Sequence, residues 1–283
     1  MAERVFVVFG GGGVKGMAHA GAWRAIEEAG LEPVELIGTS IGGLVAACFA
    51  GGTTWSRLYA QAAEFKKQDI VVLNRWALLL NGIRQRSVFQ GEPLREYIAR
   101  LLPVTRFDEL SLPVSMNAVD PETGEMVWFG AGGRIDVPLV DACYATCALP
   151  VFYPPVEIDG VHYVDGGTKD GLPIEFAAER GATLILAIDV GAGAVRDSGD
   201  TISKGLVAIH HRVTEIIGYA RKQERLENWT GPPLIYVRPR LDAFSTFDFG
   251  RTEFFLEEGY TATRDALAAA GFPSRVQPKR QAR

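Results

Sequence analysis

The chain has 283 residues, 47% of them hydrophobic and 22% charged, and a net charge of −5. That composition suits a globular α/β protein with a large core, and the acidic balance argues against a nucleic-acid partner. The cysteines, Cys48, Cys143 and Cys147, are odd in number and lack framework spacing, which excludes a disulfide-built secreted fold. All three sit among small apolar residues and read as buried packing.

Residues 5–9 are an apolar run closed by glycine and predict a fully buried strand. Residues 17–29 carry alanines and Ile26 at helical spacing, with Gly30 as the stop. A second strand over 34–37 and a second helix over 41–50, closed by Gly51-Gly52, complete a β-α-β-α unit on a parallel sheet. Residues 54–102 read mostly helical and are expected to shape an apolar pocket. Within them, 70–83 have two readings: a buried core helix, or an interfacial lid with Trp76 at headgroup level. Strands are predicted over 114–119 and 125–129, around the turn from Asp120 to Gly124, and a helix over 141–148. Residues 156–158 and 161–164 flank Asp159-Gly160, a two-residue hairpin signal. A buried strand over 184–190, a long helix over 203–229, a strand over 234–237 and a helix over 253–270 follow. One domain is expected over 1–272, because no Pro/Gly/Ser linker or charge run divides the chain. Residues 273–283 hold Arg275, Lys279, Arg280 and Arg283 without an acid. They read as a frayed tail, or as a contact with anionic lipid. No signal peptide or membrane-spanning run is evident, so a cytoplasmic location is expected, with peripheral contact at the inner membrane face as an extension of it.

Two motifs lie thirty residues apart. Gly10 to Gly13, followed by Val14, Lys15 and Gly16, frees a loop after the first strand to aim several N–H groups at one anion. Lys15 would add positive potential or pin that loop. Gly11, Gly13 and Gly16 also fit a dinucleotide-binding G-x-G-x-x-G, but that site wants an acid ending the second strand. Glu35 lies within that strand, whose end is Gly38-Thr39-Ser40. Gly38-Thr39-Ser40-Ile41-Gly42, between strand and helix, has the form of a nucleophile elbow. Ser40 has a second reading as a helix N-cap. The histidines do not supply a base. His19 reads as packing or capping, His162 as a hairpin residue, and His210 and His211 as part of a solvated helix face. Asp165, before Gly166-Gly167, is a base if apolar burial raises its pKa, and an Asx-turn residue otherwise.

Together, Gly11-Gly12-Gly13-Val14-Lys15-Gly16, Gly38-Thr39-Ser40-Ile41-Gly42 and Asp165-Gly166-Gly167 resemble the patatin-like phospholipase family. Asp120 with Thr123-Gly124-Glu125 resembles the family's D-x-x-T-G-E turn. Thr146 to Pro150, running on to Pro154-Pro155, resembles the segment before its Asp-Gly-Gly. The chain departs from the family pattern at three positions: Thr146 for serine, Val151 for glycine and Gly171 for asparagine. The resemblance implies a three-layer α/β/α fold with a mainly parallel central sheet. It implies a Ser40–Asp165 dyad without histidine and oxyanion donors in Gly11, Gly12 and Gly13. Lys15 and Gly16 would support that loop, and Gly38 and Gly42 would shape the elbow. The implied substrate is a lipid or other acyl ester, and no cofactor or metal is implied. An acyltransferase with the same dyad and a nucleotide-binding module remain as alternatives.

Overall fold

A computed structural model describes residues 3–75, 79, 84–193 and 201–275. An eight-stranded sheet forms the middle layer, in the order β5-β6-β3-β2-β1-β7-β8, with β4 paired to the remaining side of β3. The parallel centre comprises β1 (Val5–Phe9), β2 (Glu35–Thr39), β3 (Val114–Val119), β7 (Leu184–Ile188) and β8 (Leu234–Val237). β4 (Met126–Gly130), β5 (Val156–Ile158) and β6 (Val161–Asp165) are joined to β3 and to each other in antiparallel fashion. The sheet is therefore mixed, with a parallel core.

The apolar runs of β1 and β7 are buried along their whole length, because helices cover both faces. Val5, Val7 and Phe9 enter the larger core, while Phe6 and Val8 enter the smaller one. That alternation is the two-residue period of an extended chain. Helices α1 (Ala18–Ala29), α2 (Ile41–Ala50), α3 (Trp55–Glu64), α4 (Glu92–Leu101), α5 (Leu139–Cys147) and α8 (Thr252–Ala269) supply the larger core. α6 (Ile174–Glu179) and the C-terminal part of α7 (Leu206–Glu227) cover the other face.

Local signals worked where side-chain chemistry fixes the backbone. Gly30 caps α1 in the left-handed region, at φ 65°. Asp159 and Gly160 both adopt positive φ, the two-residue hairpin geometry expected between β5 and β6. The expectation of a mostly helical 54–102 is only partly met. Among the described residues between α3 and α4, a short 3-10 helix forms at Lys67–Asp69 and Leu73 makes an isolated antiparallel bridge with Phe89. Residues 76–78 and 80–83, with Trp76, lie outside the described residues, as do 276–283, and so the lid and tail readings fall mostly there.

The parallel order places the ends of β1, β2 and β7 side by side, where the strand order passes from 2 through 1 to 7. The crevice beyond the carboxyl ends of such strands is the usual ligand position in open α/β sheets. The glycine loop leaves β1 there, Ser40 leaves β2, and Asp189 follows β7. β6 runs the other way and meets β3 only at its last residues, pairing Asp165 with Ala118. Asp165 thereby arrives beside Ser40 from the antiparallel edge.

Candidate active site

Ser40 sits between β2 and α2 with φ 55° and ψ −130°, a conformation L-residues rarely hold. Strain of this kind costs about 1–3 kcal/mol and persists only where the surroundings impose it. Here a Cβ on Gly38 would come within 2.4 Å of the Gly42 backbone, and one on Gly42 within 2.1 Å of the Phe9 carbonyl. The absence of side chains lets β1, β2 and α2 crowd together. The Ser40 N–H is donated to Thr146 Oγ1 at 2.8 Å, fixing the turn to α5. Thr146 thus retains the one atom that a serine would supply at this position.

The Ser40 side chain makes no capping bond to its helix. Its hydroxyl is donated instead to Asp165 Oδ2 at 2.6 Å, so the N-cap reading is replaced by a Ser–Asp contact. Asp165 is 3% exposed, and burial raises its pKa to about 6. Bonds from the Ser40 hydroxyl and the Gly167 N–H, the latter 2.7 Å from Oδ1, limit that rise. The Asx-turn bond to Gly167 and the contact with Ser40 coexist, one on each carboxylate oxygen. A carboxylate of this pKa is mostly ionised at pH 7 and far more basic than a solvated aspartate.

The glycine loop faces Ser40 closely: a Cβ on Gly11 would lie 3.3 Å from that of Ser40. The Gly11 N–H, however, is donated to the Gly171 carbonyl at 2.9 Å. The expectation of three glycine donors therefore narrows, because a committed amide cannot also meet an oxyanion. Gly10 and Val14 are likewise committed, to the carbonyls of Ile188 and Thr246. Gly12 and Gly13, both on the cavity wall, are left as the uncommitted loop amides among the described residues. Since Gly171 contributes only its carbonyl, the lack of asparagine there leaves this contact intact.

Lys15 is fully buried and donates to the Gly191 carbonyl at 3.1 Å, tying the glycine loop to the chain after β7. Of its two expected roles the pinning contact is present. Gly16 lies against Ile41, with 2.4 Å between a notional Cβ and that side chain. His19 is buried beside Phe9 and donates Nε2–H to the Gly10 carbonyl at 2.8 Å; burial lowers its pKa to about 4, so it stays neutral. Glu35 is bound by Arg180 and Ser115 at the start of β2, away from the crevice, and is not placed to hold a ribose.

A cavity of about 630 Å³ opens in front of the dyad, a volume typical of small-molecule sites. One side is apolar, formed by residues such as Leu44, Val45, Leu58, Leu94 and Leu101 from α2, α3 and α4. The other is polar, with Asp170, Asp189, Lys222 and Arg225. Cys147 also lines it, and burial, with Asp165 nearby, pushes its thiol well above the usual range; it is a cavity residue, contrary to the packing expectation. A thiol so disfavoured as thiolate is a poor nucleophile.

A family model described as Patatin-like phospholipase matches residues 7–178. The chain belongs to this family. Patatin-like phospholipase domain-containing protein 6 is 30% identical over 279 residues in both Mus musculus and Homo sapiens. The matched region covers 90% of this chain and 20% of either relative. Lysophospholipase NTE1 of Saccharomyces cerevisiae is 28% identical over 274 residues, covering 89% of this chain and 16% of that protein. This patatin-like chain thus spans about a fifth, or less, of those relatives. The crystal structure of VipD from Legionella pneumophila superposes with a TM-score of 0.61 at 13% identity, over 94% of this chain and 67% of that one. That likeness concerns the fold.

The patatin-like match ends before much of the polar wall begins. Asp189 accepts from Lys222, Arg238, Tyr236 and the Gly191 N–H. Burial alone would raise its pKa, but the two cations overcome that and hold it at about 2. Its one signal in the sequence is an acid directly after a buried strand. His211, expected on a solvated face, is largely buried instead. It contacts Thr246 at 3.2 Å and Glu215 at 3.3 Å, with its ring edge-on to Phe152. No helix among the described residues is long and apolar enough to cross a membrane.

Proposed function

We propose that this patatin-like chain is a lipid acyl hydrolase that uses Ser40 as nucleophile and Asp165 as its only general base. The observation that carries the reading is the 2.6 Å contact from a serine on a strained elbow to a buried carboxylate, at the head of a largely apolar cavity. Asp165 takes the Ser40 proton as Oγ attacks the ester carbonyl. The Gly12 and Gly13 amides receive the tetrahedral oxyanion, assisted by the N-terminus of α2. Asp165 then returns the proton to the departing alcohol, leaving an acyl-serine. In the second half Asp165 deprotonates water, which attacks the acyl carbonyl. The proton passes back to Ser40 and the fatty acid leaves.

The apolar side of the cavity suits the acyl chain and the polar side suits the alcohol portion. A single-chain lysophospholipid is the proposed substrate, in keeping with the name lysophospholipase carried by several relatives. Free fatty acid released from lysophosphatidylcholine is the measurement that tests it. Release is expected for the native chain and absent for Ser40→Ala. Equal release by both proteins would end the assignment.

A further inference from the structure

We propose that the outer face of α7 is a lipid-docking surface, where a bilayer meets the mouth of the cavity. This rests in part on the hydrolase reading, which supplies the reason for lipid to approach.

Over residues 206–222 the polarity of α7 is inverted relative to an ordinary surface helix. Such a helix turns its apolar stripe to the core and its charges to water. In α7, Glu215, Arg212 and Lys222 have side chains that are only 8%, 14% and 11% exposed. Leu206, by contrast, is 77% exposed, Val213 50%, and Ile216 and Ile217 48% each. Residues 206, 213, 217 and 220 recur at helical spacing on one stripe, with Ile216 at its border. Single exposed apolar residues need no explanation, but a stripe along one helix marks an interaction surface.

Two observations favour lipid as the occupant, and a third allows it. The stripe runs into the cavity rim: Thr214, Ile217 and Arg221 are exposed and also line the cavity. The charge on this face does not oppose a lipid surface, since Arg221 stands at the rim and no exposed carboxylate of the helix comes before Glu224. A rigid protein seated across the same rim would cover the entrance, whereas a fluid lipid layer would deliver substrate to it. The arrangement matches interfacial helices, which bury an apolar face at the headgroup–acyl boundary with basic residues beside it.

The test is co-sedimentation of the full chain with equimolar phosphatidylcholine–phosphatidylglycerol vesicles. It compares the native protein, the double variant Val213→Glu/Ile216→Glu and the single variant Leu206→Glu. None of these residues lines the cavity. The native protein is expected to bind, and the double variant to partition at least about tenfold more weakly, given the apolar area withdrawn and the charge added. Leu206→Glu is expected to fall between them. Turnover of a short-chain soluble ester is expected to be unchanged in all three, which also reports that the variants fold. Vesicle binding undiminished by the double variant would overturn the proposal, as would a native protein that does not bind. So would a native dimer that the variants turn into monomers without loss of vesicle binding. Should the soluble ester resist even the native protein, the hydrolase reading fails, and vesicle binding still decides the docking face.

Discussion

Burial gives Asp165 an energetic cost that its proposed role as base requires. Its folded pKa of about 6 lies above the 3.8 of an ordinary aspartate, so the native state holds this proton more tightly than the unfolded chain does. The sign follows: stability falls as pH rises from about 4 to about 6 and is level beyond. The charged form costs about 3 kcal/mol at neutral pH. Asp165→Asn is therefore expected to be inactive yet more stable than the native chain at pH 7, by up to that amount, with the gain gone near pH 4. Urea denaturation at the two pH values checks it; an equally large gain at both would contradict the burial account. In the native enzyme kcat/KM is expected to rise with pH through about 6, as the base loses its proton. Val151 is a second strained residue, at φ 72°, where the family usually has glycine. A β-branched side chain in that region is strongly disfavoured. Val151→Gly is expected to gain about 1 kcal/mol in the same denaturation experiment, relief of strain outweighing the glycine's added chain entropy.

At the scale of elements, the site is a junction of strand ends held by contacts too close for side chains. Gly42 is the tightest point on the elbow, because a Cβ there would enter the Phe9 backbone at the end of β1. Gly42→Ala must push α2 away from β1, at a cost of about 1–3 kcal/mol or more by the usual measure of overpacking. Such a shift moves Ser40 relative to the glycine loop, so kcat is expected to fall at least about tenfold even where the variant stays folded. Steady-state kinetics with a soluble ester, alongside a thermal melt, separates the two effects; a folded variant with native kcat would show that the close approach is not needed. The same junction explains what was legible in the sequence. Val5–Phe9, Ile41–Ala50 and the Asp159-Gly160 hairpin announce themselves through local patterns of burial, glycine and turn chemistry. The commitment of the Gly11 amide to Gly171 depends on residues far apart in the chain meeting in space, and no local pattern encodes it.

Across the whole molecule, the proposed catalytic pair comes from the family-matched part, and part of the setting comes from beyond it. Thr246 receives the Val14 N–H, Gly191 receives Lys15, and the Val190 carbonyl lies against Gly12. The chain after β7 therefore completes the loop that begins after β1. The Ser40–Asp165 contact was readable because the glycine-flanked motifs of the two residues are specific as a set. Lys222 and His211 were not, because a cation or histidine on a long mixed helix looks the same in sequence whether it faces water or a cavity. The inverted polarity of α7 is invisible for the same reason: its pattern reports that the helix has two faces, and only the packing shows which one is outside.

In the proposed mechanism Asp165 alone activates Ser40. Reaction with a fluorophosphonate probe, followed by mass spectrometry of the labelled peptide, tests it most directly in the native chain, Asp165→Asn and His211→Ala. Label is expected on Ser40 in the native protein, with loss of that label in Asp165→Asn and labelling retained in His211→Ala. Undiminished labelling of a folded Asp165→Asn, or its loss in a folded His211→Ala, would contradict the dyad.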